Sequence, residues 1–170
     1  PPQIDGASIA NLLDGLKVYE DRNRYRVRRE LAQRDSKQVV AAMKKWLAGL
    51  DKNDKDHGHH QLEALWMHQT HHVINEPLLK QLLASSDYRI RAAATRVLSY
   101  WHPSLSDPLA QLKKLVNDKH PRVRLEAVRA CSFFTTSKAA EIALESLNHP
   151  QDEYLKFTLD ETMQTLERYE

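Results

Sequence analysis

Only four of the 170 residues are glycine, Gly6, Gly15, Gly49 and Gly58, and the stretch from 59 to 170 has none. A P-loop, a dinucleotide-binding turn and a Gly-x-Ser-x-Gly nucleophile elbow each need positive φ or close backbone approach, so none of them fits that stretch. Tight β-hairpins lose their usual turn residue as well. Cysteine is scarcer still. Cys131 stands alone, which excludes an intrachain disulfide, a Cys-x-x-Cys redox pair, a zinc knuckle and a Cys-x-x-Cys-His haem attachment site. No apolar run approaches the roughly 18 residues that span a bilayer, and the opening Pro1-Pro2-Gln3-Ile4-Asp5 lacks the charged and apolar regions of a signal peptide. The expectation is a soluble chain with no membrane insertion, cytoplasmic or already processed.

Charge of one sign is also nearly absent. The formal net charge is +2, which argues against a dedicated nucleic-acid binder, but the distribution is uneven. Residues 139 to 170 carry Lys156 and Arg168 against eight carboxylates, so the rest of the chain is basic.

What the sequence does contain is internal repetition. Tyr25-Arg26-Val27-Arg28, Tyr88-Arg89-Ile90-Arg91 and Pro121-Arg122-Val123-Arg124 recur 63 and 33 residues apart. The longer interval leaves room for one more copy, at His59-His60-Gln61-Leu62-Glu63-Ala64-Leu65, and a weaker fifth begins at His149-Pro150. Each copy opens a helix. Val123, Ala127, Cys131 and Phe134 fall at i, i+4, i+8 and i+11, and Ile90, Ala94, Leu98 and Trp101 repeat that set. Cys131 thus fills a core slot held by leucine in the neighbouring copy, as a small hydrophobe and not a reactive thiol.

Helix starts punctuate the intervals. Asp107-Pro108 and Asn75-Glu76-Pro77 place a capping residue before a first-turn proline, Ser36 and Ser137 are candidate caps, and Gly6 precedes a further helix. Three His-Pro pairs, at 102, 120 and 149, track repeat boundaries and belong to the same turn chemistry. Five helical pairs are expected, at about 7–33, 36–70, 76–100, 106–133 and 137–168, within a single domain over 1–170. The polar stretch from Asp51 to Gly58 is expected to be a mobile loop. No pair can bury its apolar faces alone, whereas stacked pairs share a continuous core. The fold class is therefore all-α, an α-solenoid.

The motif Asp118-Lys119-His120-Pro121-Arg122-Val123-Arg124, followed by Ala127, resembles the HEAT repeat in the short form first described in phycobilin lyases. The likeness is most specific in pairs three and four. It weakens in pair two, where Gln61 replaces the arginine, and in pair five, where Asp152 and Glu153 stand in the Val-Arg positions. The resemblance implies that the second helix of each pair lines a concave surface. It also implies that Arg28, Arg91 and Arg124 form a structural ladder bonded to turn residues or acids, with Asp87 and Asp118 as nearby candidates. Arg26, Arg89, Arg96, Arg122 and Arg129 are not needed by the core pattern and are candidates for a basic ridge that binds a partner. Glu30, Glu63 and Glu126 recur on the same helices and break that ridge, which makes nucleic acid the less favoured partner.

Six of the nine histidines fall between 57 and 72. On a regular helix His68 and His72 would share a face, the minimal geometry for two imidazoles on one metal. The di-iron hydroxylases of the HEAT class use His-Glu dipeptides, and none occurs here. No nucleophile stands beside a histidine at sensible spacing, so no catalytic residue and no cofactor are assigned.

The runs Tyr19 to Leu31, Leu62-Glu63-Ala64-Leu65-Trp66, Arg91 to Leu98 and His120 to Ala130 resemble the helical segment of large secreted bacterial proteins labelled membrane-bound dehydrogenases or haem-binding proteins. There a β-propeller precedes the segment and a c-type cytochrome follows. That resemblance implies a periplasmic or extracytoplasmic setting and a module that is not itself an enzyme, although the parent would be a dehydrogenase. The module would be a spacer or scaffold for a protein partner or for neighbouring domains of the same polypeptide. The rival readings are a basic groove for nucleic acid or an acidic ligand, and a metal or haem contact through the His57 to His72 cluster.

Overall fold

A computed structural model describes residues 4–169, which are helical with no strand among them. Ten α-helices follow in order: α1 (Ile9–Gly15), α2 (Asp21–Gln33), α3 (Ser36–Ala48), α4 (His57–Thr70), α5 (Glu76–Leu83), α6 (Tyr88–Trp101), α7 (Pro108–Val116), α8 (Pro121–Cys131), α9 (Ser137–Leu144) and α10 (Glu153–Leu166). Short 3-10 turns extend α6, α9 and α10. None of these helices is long and apolar enough to cross a membrane.

Local side chains set most helix starts. An oxygen one residue before the helix accepts an amide that has no carbonyl partner within the first turn. Asp107 accepts from Ala110 N at 3.2 Å, Asp152 from Leu155 N at 2.8 Å and Asn75 from Leu78 N at 3.1 Å. His120 does the same with an imidazole nitrogen, 3.1 Å from Arg122 N, with Pro121 in the first turn. Two expected caps shift by one residue. Asp35 caps α3, and Ser36 becomes its first residue, with its hydroxyl 2.8 Å from His71 Nδ1. Thr136, not Ser137, precedes α9 and makes no side-chain bond there.

The segment from Asp51 to Asp56 is a run of turns closed by its own carboxylates. Asp51 accepts from Asn53 N at 2.9 Å and Asp54 from Asp56 N at 2.8 Å. These bonds bend the chain without glycine, and Gly58 lies inside α4. The same helix stops at Thr70, where His72 takes a left-handed φ of 55°. Val73 N then donates to His68 O and His72 N to Gln69 O, the paired bonds of a Schellman end.

Packing groups the chain into two compact units, Pro1–Leu78 and Leu79–Glu170, divided within α5. In the first, α1 packs on α2 and α3, and α4 packs on α2 and α3, around the buried side chains of Leu13, Leu31, Met43 and Leu65. In the second, α8 is central and touches α6, α7, α9 and α10. Its stripe Val123, Ala127, Cys131 is fully buried, and Ile90, Ala94, Leu98 and Trp101 on α6 repeat that burial as the periodicity requires. Each fully buried Val or Leu contributes roughly 1.5–3 kcal/mol of transfer energy. The fold is all-α and of the α-solenoid class.

Candidate partner-binding face

The ladder arginines hold their repeats together through chain segments that differ in sequence position. Arg91 donates from Nε and Nη2 to both carboxylate oxygens of Asp118, each at 2.8 Å, and from Nη1 to Ser85 O at 2.9 Å. Arg124 donates to Asp118 O at 2.8 Å, and Asp118 also accepts His120 N. Burial would raise the Asp118 carboxyl, but these bonds, led by Arg91, hold it below the usual carboxylate range. Asp118 is thus the node of the second unit. Asp87 is not part of the ladder pairing: it caps α6 and binds the Arg89 guanidinium at 2.8 and 3.1 Å.

In the first unit the ladder partner is Glu63, a residue whose role sequence spacing did not reveal. Its side chain is fully buried on α4. Arg28 of α2 donates to it with two nitrogens, one at 2.8 Å. Arg24 Nε lies 3.7 Å and His59 Nε2 3.2 Å from the same carboxylate. Burial alone would raise the Glu63 carboxyl; His59 and Arg28 pull it below the ordinary value. The pair forms because α2 and α4 lie side by side, which 35 residues of sequence separation conceal. Beside it, a cleft of about 560 Å³ runs between the two helices, lined by Tyr25, Arg28, Arg29, His59, Trp66 and Met67 among others. Arg28 lies over the Trp66 ring and Arg29 over that of Tyr25, at 5.5 and 5.9 Å.

Arg26 belongs to the first unit, and the four ridge arginines of the second do not form one uniform cationic surface. Arg26 and Arg122 are exposed. Arg89 is spent on Asp87, and Arg96 donates to Glu126 at 2.6 Å, with Arg129 3.9 Å from the same carboxylate. Glu126 is nearly buried and bridges α6 to α8. Aromatic rings fill the spaces between. Arg89, Arg96 and Tyr100 lie at i, i+7 and i+11 on α6, and Arg122, Arg129 and Phe133 repeat the spacing 33 residues on, from α8 into the turn after it. The two stripes abut: Tyr100 meets Phe133 edge to face at 5.4 Å between centroids, Arg129 covers Phe133 at 5.9 Å, and Tyr88 stacks on His120 at 3.5 Å.

The paired histidines do not meet. His68 is buried, with Nδ1 2.8 Å from Ala64 O and Nε2 3.3 Å from Asn75 Nδ2. His72 lies beyond the helix end in the left-handed region and is exposed, so the i, i+4 register is broken before it reaches that residue. No group of three His, Cys, Asp or Glu side chains poised for a metal occurs among the described residues.

A search among curated proteins finds none that matches the chain. The family model for HEAT repeats matches residues 75–163, from α5 into α10 and just over half of the sequence. The arginine ladder on Asp118, the repeated core stripe and that match together place the chain in the HEAT-repeat family, whose members generally mediate protein–protein interaction.

Proposed function

We propose that this chain is a non-catalytic docking module that binds an acidic, aromatic-bearing protein segment on the face built by α6 and α8. The observation that carries this reading is the abutting pair of arginine and aromatic stripes, Arg89, Arg96 and Tyr100 beside Arg122, Arg129 and Phe133. Arginine and aromatic residues are enriched in protein interfaces, and arginine and tyrosine also where the binding energy concentrates. Residues 79–138 carry eleven Lys and Arg against four Asp and Glu, an excess that favours an acidic partner and speeds its approach. Arg89 and Arg96 already serve Asp87 and Glu126, which leaves Arg122 and Arg129 as the main cations open to a partner, enough for a few carboxylates but few for a phosphate backbone tracked over several nucleotides.

The finer form of the proposal makes the partner a neighbouring domain of a larger secreted redox polypeptide, with this module as the spacer. It rests on the sequence resemblance of the arginine-rich runs. Retardation of random duplex DNA at moderate salt tests the whole reading against its rival. The docking module is expected to give no retained band. A shift that Arg122→Ala plus Arg129→Ala abolishes would make nucleic acid the ligand and overturn the proposal.

A further inference from the structure

The second unit is electrically divided. Its residues 79–138 hold the basic excess, whereas residues 139–170 hold eight carboxylates against Lys156 and Arg168. The arginine stripes lie on α6 and α8, whereas Glu153, Asp160 and Glu161 lie on α10. In the packing order α8 lies between α6 and α10, and the tie from α8 to α10 includes Thr162 Oγ1 donating to Val128 O at 3.2 Å. One flank of α8 therefore presents the arginine stripes and the other presents α10.

The exposed side of α10 has the complementary character. Tyr154 and Phe157 are 78% and 67% exposed, far more than a helix packed on both sides would leave them. Glu161 follows Tyr154 by seven residues on the same stripe, with Asp160 beside it, and both are exposed. Neither carboxylate makes an ion pair with a described residue, in contrast to Glu126. An acidic, aromatic-bearing helix is the kind of segment proposed above to dock on Arg122, Arg129 and Phe133, and the molecule itself carries one.

We infer that two copies of this chain associate through the second unit, with α10 of each copy laid on the α6–α8 stripes of the other. A surface that is basic on one flank and acidic on the other matches itself after a half-turn, so the contact closes as an isologous dimer and does not propagate. Carboxylates of Asp160 and Glu161 meet the guanidiniums of Arg122 and Arg129 of the second copy, and Tyr154 and Phe157 stack against its Tyr100 and Phe133. The inference rests on the docking role of the arginine face. It adds that a second copy competes for that face with any other acidic partner.

Sedimentation equilibrium of the full chain at about 0.05 M and about 0.5 M salt tests it, since screening weakens contacts between exposed charges. The expected result is a dimer at low salt that dissociates at high salt. Asp160→Lys plus Glu161→Lys should weaken it by about tenfold or more, and so should Arg122→Glu plus Arg129→Glu. Combining all four reversals should restore association to within a few fold of the wild type. A monomer at both salt concentrations, or a dimer indifferent to both reversals, overturns the inference. The Asp160 and Glu161 variant leaves the arginine face intact. Loss of self-association with retained binding of an acidic peptide therefore confirms the dimer contact and the docking face separately. If the arginine reversal leaves peptide binding unchanged, the docking face itself has failed.

Discussion

At the scale of single residues, Glu63 keeps its charge in a buried site because Arg28, Arg24 and His59 converge on it from two helices. Removing the principal partner leaves a buried carboxylate undercompensated, so Arg28→Ala should cost about 3 kcal/mol in urea unfolding. A value near zero would mean that the pair is not formed. The histidines give the chain a pH dependence of their own. Burial lowers both His60 and His68, against the raising effect of Asp54 on the first and of the Ala64 carbonyl on the second. Their folded forms take up protons less readily than the unfolded imidazoles, which do so below about pH 6.5, so this contribution is complete above that value and falls as the pH drops below it. Glu63 acts in a lower window: its contribution is present above the ordinary carboxylate range and is lost as pH falls through its depressed folded value. The fall in urea midpoint between about pH 7.5 and 5.5 should shrink in His60→Gln and His68→Gln; an unchanged fall would assign it to other groups. Burial also pushes the Cys131 thiol up to about 12, so a thiol reagent should label it only on unfolding. The slot of Cys131 was legible from its i+4 spacing. The partner of Arg28 was not, because ion pairing across 35 residues leaves no periodic mark.

At the scale of helices, composition revealed which segments are helical better than where they end. Aspartate and proline at 107–108 announce α7 in the sequence, and Asp107 does cap it. Asp107→Ala should therefore cost about 1 kcal/mol. The end of α4 at Thr70 is where the second expected pair stops, although no glycine marks it. A Schellman turn ordinarily takes glycine at the position of His72, and only the backbone reveals that a β-carbon is carried there at φ 55°. His72→Gly should raise stability by about 0.5–1 kcal/mol, a gain that a regular helix through residue 72 would turn into a loss. Gly15 is the converse case. It closes α1 beside α2, where a β-carbon would stand 3.0 Å from Val27 Cγ2, so Gly15→Ala should destabilise although alanine is the better helix former. Glycine scarcity agrees with the absence of strands among the described residues, while the loop from Asp51 to Asp56 shows that aspartate can replace glycine as the bending residue.

At the scale of the whole molecule, the repeat was the most legible feature, since the core stripe and the ladder arginine recur together 33 residues apart. The family match falls where those copies are most alike and includes the acidic last pair. The ridge of five arginines was visible as residues but not as chemistry. Sequence could not tell that Arg89 serves Asp87 and Arg96 serves Glu126 while Arg122 projects unpaired among the described residues. The surviving character of the face is arginine set against aromatic rings, which suits a folded or extended protein segment better than a phosphate backbone. The central claim is that this face binds such a segment. Its most direct test is to pan a displayed random-peptide library on the intact chain and to measure the selected peptides against the Arg122→Glu plus Arg129→Glu variant. The expected ligands are rich in carboxylates and aromatic residues, with affinity for the variant reduced by about tenfold or more and its melting temperature unchanged. Selected peptides that bind the variant as tightly as the wild type would contradict it.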